Sequence, residues 1–234
     1  MKIKVVIPNA GMDRTTLDER ETMLSAAVSS GTKVSVDCIP SGPESIESNT
    51  DEVMAGPLLL PMARQAEKDG FDAFVVYCFS DLAVPALREN VNIPVVGPGE
   101  VALAIADTIS NGFLIVTTIE ANVSRTSRRL MLNPVAQRKM RSIRALNIPV
   151  VDLREDPEVT CSYLVKVCEQ SVQEDGIDTM ILGCLGMACY GGYVERACGV
   201  RVIDPAFAAL AWAEMTARLK MTPSRRAVAE CGKG

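Results

Sequence analysis

Two cysteines of this chain follow apolar segments at matching places in two similar stretches of sequence. The stretch 70–82 reads GFDAFVVYCFSDL, and the stretch 176–192 reads GIDTMILGCLGMACYGG. Glycine, aspartate and cysteine recur in both at one spacing, which pairs Cys78 with Cys184. Cysteine has a reference pKa of about 8.5, so it can serve as a general base when ionised and as a general acid when protonated. Two thiols on opposite faces of a carbon acid could therefore remove a proton from one face and deliver one to the other.

Histidine is absent from the 234 residues. Its absence excludes the Ser-His-Asp and Cys-His catalytic arrangements and most catalytic zinc sites. Proton transfer near neutral pH is then left to cysteine, or to a carboxylate or lysine with a perturbed pKa. The spacing of Cys184, Cys189 and Cys198 fits neither a CxxC zinc site nor the usual iron–sulfur patterns, so no metal site is predicted. The cysteines without symmetric placement are interpreted as core or incidental residues, and they are Cys38, Cys161, Cys168, Cys189, Cys198 and, in a polar tail, Cys231.

The composition is typical of a globular protein from a reducing compartment. Hydrophobic residues make up 48% of the chain, which is enough to fill a core without disulfides. No apolar run is long enough to cross a bilayer, and the N-terminal MKIKVVIPNAG is interpreted as a first strand, so a cytoplasmic location with reduced thiols is expected. The net charge of −5 argues against nucleic-acid binding. The stretch 121–151 has basic but no acidic residues, and it is interpreted as solvated helix faces, with an anion site or a subunit contact as alternatives.

Strand and helix patterns alternate along the chain. Such alternation predicts parallel sheets covered by helices on both faces. The predicted strands are KIKVVIP, KVSVDCI, DAFVVYC, IPVVG, GFLIVTT, IPVVDL, DTMILGC and RVIDP. The predicted helices are 14–30 with a capping box at Thr16–Glu19, 51–69, AVPALREN, EVALAIADTIS, 122–145, 158–174 and 206–219.

The pattern of elements restarts halfway along the chain. VVIPN pairs with LIVTT, KVSVDCI with IPVVDL, and IPVVGPGEVALAIA with VRVIDPAFAALAWA. A repeat of a little over one hundred residues predicts an α/β protein of two similar domains. Each domain is expected to have an open parallel sheet flanked by helices, and the two to be related by a pseudo-twofold axis. Facing sheets would place the carboxyl ends of their strands around one cleft, which is where the active site is expected.

The two thiols and several neighbouring residues lie at these predicted strand ends. After Cys184, the backbone N–H groups of the next residues could stabilise a thiolate or an enolate oxygen, as they do at a helix N-terminus. Asp81 is open to two interpretations, as a helix N-cap or as a charge that disfavours a thiolate at Cys78. No cofactor is needed if the hydrogen of the substrate is already acidic. The candidate substrate-binding residues are Asn9, Phe79, Ser80, Thr117, Thr118, Leu185 and Gly186.

Several motifs together resemble one known family. They are PN after the first strand, GPESIES at 42–48, YCFSD at 77–81, TT at 117–118 and GCLGM at 183–187. With these motifs the chain resembles the aspartate/glutamate/hydantoin racemase superfamily, and most closely its hydantoin and allantoin racemase branch, in which the last motif reads GCAGM. The resemblance implies a first domain of 1–100 joined by the C-terminal helix 205–234, and a second domain of 101–204. It also implies cofactor-independent racemisation of a 5-substituted hydantoin or allantoin, with Cys78 and Cys184 as the acid/base pair.

Other functions stay open on the residues alone. Amino-acid racemases of the superfamily more often carry Cys-Asn-Thr and Cys-Thr-His patterns, which do not occur here, and this disfavours free aspartate or glutamate as substrate. A maleate-isomerase-like enzyme also carries two cysteines, whereas an arylmalonate-decarboxylase-like enzyme keeps one. A non-catalytic ligand clamp is the alternative from another class. In each case the expected partner is a small molecule, with no nucleic acid and no membrane, and a homo-oligomer is the usual state.

Overall fold

The structure, a computed structural model, describes residues 1–224. In this part of the chain, β-strands alternate with α-helices as the sequence predicts. The first half contains β1 (Lys2–Ile7), α1 (Arg14–Ser25), β2 (Lys33–Cys38), α2 (Asn49–Lys68), β3 (Ala73–Val76), α3 (Val84–Asn90), β4 (Val95–Val96) and α4 (Pro98–Ile109). The second half contains β5 (Phe113–Thr117), α5 (Glu120–Leu130), α6 (Pro134–Lys139), β6 (Met140–Ala145), α7 (Pro157–Asp175), β7 (Thr179–Leu182), α8 (Gly191–Cys198), β8 (Arg201–Ile203) and α9 (Pro205–Arg218).

The strands form two parallel sheets with the same order of strands. The first sheet is ordered β2-β1-β3-β4, and the second is ordered β6-β5-β7-β8. Strands β3 and β7 are buried along their whole length, as expected for parallel strands with helices on both faces. The predicted α/β class, with two similar parallel sheets flanked by helices, is confirmed.

The chain packs as two compact units. The first unit contains Met1–Pro98 and the segment that begins at Ala209, and the second contains Gly99–Ala208. The first core is centred on Phe74 and Leu59, and the second on Leu114 and Met180. The domain boundaries implied by the resemblance stay a prediction, and their residues 225–234, with Cys231, lie outside the described residues.

The prediction of one helix over 122–145 is wrong. Helix α5 ends at Leu130, Asn133 caps the short helix α6, and Met140–Ala145 forms the edge strand β6. Pro134 explains the break, since proline is favoured in the first turn of a helix and interrupts one that is already formed. The predicted strand IPVVDL is also wrong, because Val151–Arg154 form a 3₁₀ turn.

Two further local predictions differ from the structure. The capping box at Thr16–Glu19 is wrong, since α1 starts at Arg14 with Asp13 as its N-cap and ends at Ser25 instead of residue 30. A complete capping box occurs at the start of α2 instead, where Ser48 and Asp51 accept each other's backbone N–H groups. Helix α8 was not predicted, because its two leading glycines resemble a loop.

No helix among residues 1–224 combines the length and the apolar character that a membrane span requires. The cytoplasmic location and the homo-oligomeric state stay predictions of the sequence.

Candidate functional site

Cys78 lies in the turn between β3 and α3. It is the second residue after β3 and is partly buried. Its backbone N–H donates to the carbonyl of Val76 at 2.7 Å, and its own carbonyl accepts from Asp81 N–H at 3.1 Å. Its Sγ lies 3.2 Å from Ser80 Oγ. The structure thus brings the predicted residues Cys78 and Ser80 within hydrogen-bond distance of each other.

The turn that follows Cys78 has unusual backbone conformations. Asp81 and Ala83 both have positive φ, at 55° and 56°, which is uncommon for residues with a side chain. Ala83, not Asp81, is the residue before α3, so the N-cap role considered for Asp81 is wrong. The carboxylate of Asp81 lies instead against Gly97, at the junction of β4 and α4. If Gly97 carried a side chain, its Cβ would lie 2.6 Å from Asp81 Oδ1. The Cys78 turn is therefore packed against the start of α4.

Cys184 has the equivalent position in the second unit. It is the second residue after β7, is partly buried, and precedes a 3₁₀ turn at Leu185–Met187. The turn is closed by the N–H of Met187, which donates to the carbonyl of Cys184 at 3.0 Å. The expected helix N-terminus is therefore a single short turn.

Two glycines flank the second thiol because neighbouring atoms leave no room for side chains. A Cβ at Gly183 would lie 2.6 Å from the carbonyl oxygen of Val116, a backbone atom of the adjacent strand. A Cβ at Gly186 would lie 2.8 Å from Leu153 Cδ1 and 3.4 Å from Cys184 Sγ. The backbone at Gly186 is thus held close to the thiol.

Thr117 and Thr118 end the strand next to β7. Both are buried, and their carbonyls accept from the N–H groups of Leu146 and Ile148 at 3.0 and 3.1 Å. The Oγ1 of Thr118 accepts from the side-chain amide of Asn122 at 3.0 Å. Because β5 and β7 are neighbouring parallel strands, the two threonines share the carboxyl edge of the second sheet with Cys184. Asn122 was not predicted as part of this edge.

Asn9 takes the corresponding place in the first unit. It follows β1, which pairs with β3, so it shares the carboxyl edge of the first sheet with Cys78. The adjacent N–H of Ala10 donates to the carbonyl of Pro43 at 2.7 Å, which joins this strand end to the segment 42–48. Phe79, next to Cys78, is buried, as is Leu185, next to Cys184. Each predicted group thus gathers at one sheet edge within its own unit.

The other described cysteines fall into two kinds. Burial raises the pKa of the Cys161 thiol, and burial is also the largest of the influences that raise the pKa of Cys168 to about 12. Burial raises the pKa of Cys198 as well. Cys38 is partly buried and Cys189 is exposed. The thiols of the α7–α8 core are thus held in the unreactive protonated form.

Three residues in and around the loop after Cys184 were missed by the sequence reasoning. Arg154 donates to carbonyls of this loop, the hydroxyl of Tyr190 donates to the carbonyl of Leu153, and Asp204 accepts from the N–H of Cys189. Arg154 was hidden because its segment was interpreted as a strand. The dipeptide Asp204-Pro205 carried a usable signal, since aspartate before proline is typical of a helix start.

A concave surface of the second unit has a volume of about 430 Å³, and its lining residues include Leu146 and Ile148, which donate to the carbonyls of Thr117 and Thr118, but none of the predicted site residues. Its lining consists of Leu146, Asn147, Ile148, Asp152, Glu155, Asp156, Val159, Thr160 and Tyr163. Within residues 1–224, no cluster of three or more histidine, cysteine, aspartate or glutamate side chains could hold a metal ion.

Comparison with known proteins shows the family of this chain. A sequence model of the family described as Asp/Glu/hydantoin racemase matches residues 3–213. A hydantoin racemase of Rhizobium meliloti is 39% identical over 172 residues, which are 74% of this chain and 71% of that protein. An allantoin racemase from Klebsiella pneumoniae superposes with a TM-score of 0.89 at 27% identity, over 99% of this chain and 94% of that one. An allantoin racemase from Pseudomonas fluorescens also gives 0.89, at 29% identity over 100% and 99% of the two chains. The resemblance drawn from the motifs is confirmed.

Proposed function

Because the chain belongs to the Asp/Glu/hydantoin racemase family and is therefore a racemase, we propose that it acts on small carbon acids of the 5-substituted hydantoin or allantoin type. The names of the relatives support this substrate class, since they include hydantoin and allantoin racemases. In a hydantoin ring the hydrogen on C5 is adjacent to a carbonyl group. Its removal gives an enolate whose charge is delocalised onto oxygen, and this suits a weak base such as a thiolate.

One observation carries the proposal. Cys78 and Cys184 are each the second residue after the corresponding strand of two sheets with the same strand order, and both are partly buried. Each is followed by a tight turn in which a backbone N–H, that of Asp81 or of Met187, donates to the carbonyl of the cysteine. Two thiols at equivalent places of a duplicated fold support a two-base mechanism, in which each thiol serves one face of the substrate carbon.

The proposed reaction balances without a co-reactant. The Cys78 thiolate takes the C5 hydrogen as a proton, and the electron pair of the broken C–H bond moves to the adjacent carbonyl oxygen. The thiol of Cys184 then donates its proton to the opposite face of C5, and the carbonyl reforms. After one turnover Cys78 is protonated and Cys184 is ionised, which is the state required to convert the other enantiomer.

The remaining predicted residues are proposed to bind the substrate. Backbone N–H groups beside the cysteines, such as that of Gly186, would stabilise the enolate oxygen, because hydrogen bonds to a developing charge lower the barrier. Asn9, Thr117 and Thr118 supply polar groups for the ring, and Phe79, Ser80 and Leu185 complete the surroundings of the two thiols.

The experiment that tests the proposal uses single enantiomers in deuterium oxide. We expect 5-substituted hydantoins or allantoin to lose optical rotation and to gain deuterium at C5, while free aspartate and glutamate stay unchanged. An enzyme-free sample corrects for spontaneous racemisation, and a Cys78→Ser, Cys184→Ser double variant corrects for contaminating enzymes. Racemisation of aspartate or glutamate alone would identify the amino-acid racemase alternative. Isomerisation of maleate would identify the maleate-isomerase alternative. Ligand binding without isotope exchange would identify the non-catalytic ligand clamp.

A further inference from the structure

The loop that follows Cys184 is held by one arginine. Arg154, at the end of the 3₁₀ turn Val151–Arg154, donates from Nε to the carbonyl of Gly186 at 3.1 Å and from Nη2 to the carbonyl of Ala188 at 2.8 Å. Its guanidinium carbon lies 5.6 Å from the centre of the Tyr190 ring, a distance at which a cation is attracted by the ring. The two planar donors thus span the loop from residue 186 to residue 188.

The first of these bonds acts on the same peptide unit that closes the Cys184 turn. The carbonyl of Gly186 accepts from Arg154, and the N–H of that peptide unit, which belongs to Met187, donates to the carbonyl of Cys184 at 3.0 Å. Hydrogen bonds in series polarise one another, so the charge of the guanidinium strengthens the turn as well as orienting it. Because Arg154 fixes this peptide unit, it also limits where the backbone of Gly186 can lie beside the thiol, to which a Cβ at Gly186 would come within 3.4 Å.

A carboxylate holds the far end of the same loop. Asp204 accepts from the N–H of Cys189 at 3.0 Å and from the N–H of Ala206 at 3.0 Å. Cys189 has a φ of 79°, which is rare for a residue with a side chain and needs support from its surroundings. Burial raises the pKa of Asp204 and outweighs the backbone N–H groups that it accepts from and the charge of Arg154, which lower the pKa. A cation and an anion thus hold successive residues of one short loop.

We infer that Arg154 is the positioning residue of Cys184, which keeps the backbone N–H of Gly186 directed toward the thiol and the enolate oxygen. The enolate part of this inference rests on the proposed function, whereas the effect on the thiol does not. A lysine could replace the charge but not the geometry, because one ammonium group lacks the planar pair of donors that reaches both carbonyls. The turn after Cys78 is packed differently, through Asp81, so the effect should be confined to one of the two thiols.

The first arm of the test measures thiol reactivity and needs no turnover. Iodoacetamide labelling of the folded protein, followed by peptide mapping, gives the rate of alkylation of Cys184 and Cys78 as a function of pH. In Arg154→Met we expect the Cys184 rate at neutral pH to fall at least about fivefold and the midpoint of its pH profile to move upward, because the turn beside the thiol is no longer held in the conformation that stabilises a thiolate. Cys78 should stay within about twofold of the parent, since the substitution does not touch its turn.

The second arm measures racemisation of a hydantoin. Arg154→Met should lower kcat about 10- to 100-fold with KM changed less than threefold, as expected when a catalytic group is misplaced and ground-state contacts remain. Arg154→Lys should fall between the parent and Arg154→Met. Added ethylguanidinium should restore part of the activity of Arg154→Ala, since it replaces the atoms that this change removes. The matched control is Arg144→Met, which removes ion pairs to Glu174 and Asp175 in the same unit and does not contact the Cys184 loop.

The outcomes separate this inference from the proposed function. If the parent protein fails to racemise any hydantoin, the proposed function is contradicted, and the labelling arm alone decides the role of Arg154. An unchanged Cys184 profile in Arg154→Met, or equal changes at Cys78 and Cys184, would overturn the inference. If Arg154→Met does not fold, the labelling profiles of Cys184 and Cys78 are measured in Arg154→Lys. An unchanged Cys184 profile in that variant would overturn the inference in the same way. Loss of stability in Arg144→Met without a change at Cys184 would show that general destabilisation does not mimic the effect.

Discussion

The carboxylate of Asp81 occupies the space that a side chain at Gly97 would take. In the second unit the carboxylate comes from the other partner of the contact. Asp204 lies directly before α9 and accepts from the N–H of Cys189, in the loop that follows Cys184. When the two halves of the sequence repeat are aligned, Gly97 corresponds to Asp204. In both units, therefore, a carboxylate joins the cysteine-bearing turn to the start of the helix that follows the last strand of the sheet.

Replacing Gly97 by alanine should displace the Cys78 turn. The new Cβ would lie 2.6 Å from Asp81 Oδ1, so the turn must move, at a cost of about 1 to 3 kcal/mol in the free energy of unfolding and a larger relative loss in kcat. Gly192→Ala is the control, since its Cβ meets only Arg196 Nη1 at 3.5 Å. Urea unfolding and racemisation rates check both variants.

Removing the obstructing carboxylate should relieve the defect of Gly97→Ala. Glycine at position 81 adopts the φ of 55° without strain, so the Asp81→Gly, Gly97→Ala double variant should be more stable than the sum of the single changes indicates. Additive free energies of unfolding would contradict the contact between these residues.

Thiol labelling near neutral pH should favour the two candidate cysteines over the buried ones. Cys168, whose pKa is raised to about 12 chiefly by burial, has almost no thiolate below pH 9 and should react only on unfolding. Cys78 and Cys184 should react earlier, and a bound hydantoin should protect both. Mass spectrometry of tryptic peptides over a time course measures the order. Rapid labelling of Cys168 without ligand protection would count against the assignment.

The two glycines beside Cys184 should respond differently to alanine. At Gly186 the new Cβ meets the end of the Leu153 side chain and approaches the thiol, so we expect kcat to fall about 10- to 100-fold with a modest loss of stability. At Gly183 the new Cβ meets the carbonyl oxygen of Val116, which cannot move without the strand, so stability should fall by about 2 to 3 kcal/mol. Thermal unfolding and kinetics of the two variants, with Gly186→Val as the stronger change, make the comparison. If activity and stability fall in proportion in both variants, Gly186 is only a packing residue.

Each cysteine should handle the proton of one enantiomer. In Cys184→Ser, the thiol of Cys78 can still exchange the hydrogen that faces it, but the opposite face lacks a competent donor, because a serine hydroxyl is far too weak an acid or base. This variant should wash deuterium into one enantiomer without inverting it, and Cys78→Ser should do the same for the other. Racemisation should fall about 10³-fold or more in each. Chiral chromatography with mass detection measures both, and near-parental racemisation by either variant would disprove the two-thiol mechanism.

Asp178 should make stability depend on pH in acid. Burial raises the pKa of its carboxyl, but hydrogen bonds from Asn111, Thr179 and Ser110 outweigh burial and lower the pKa to about 2. Since the folded pKa is below the unfolded one, the stabilisation is complete above about pH 4 and is lost as the pH falls toward 2. Asp178→Asn should therefore cost about 1 to 2 kcal/mol at pH 7 and progressively less below pH 4.

Urea unfolding of Asp178→Asn and the parent at a series of pH values measures this difference. Glu169→Gln, on the exposed face of α7, serves as the control for the loss of one negative charge. A cost that stays constant down to pH 2 would mean that the carboxylate form is not what the hydrogen bonds stabilise.

The sequence by itself determined the fold class and the positions of the two thiols. The run AFVV of β3 and the run TMIL of β7 are apolar at every position, which marks strands buried on both faces. Helix α7, predicted at 158–174, is followed by Gly176 with a φ of 63°, a conformation that is typical of a glycine at the end of a helix. Because the repeat preserves these local signals, the equivalence of Cys78 and Cys184 could be predicted without coordinates.

Only the tertiary structure decided the edge strand and the contacts that hold the cysteine turns. Met140–Ala145 has mixed burial and several charged neighbours, so its pairing with β5 supplies the strand conformation that its own sequence does not dictate. Arg154 and Asp204 reach the Cys184 loop from places distant in sequence, as Asp81 reaches Gly97. Such contacts depend on where folded elements place side chains and not on local propensity, which is why periodicity and motifs located the thiols but not the residues that hold their turns.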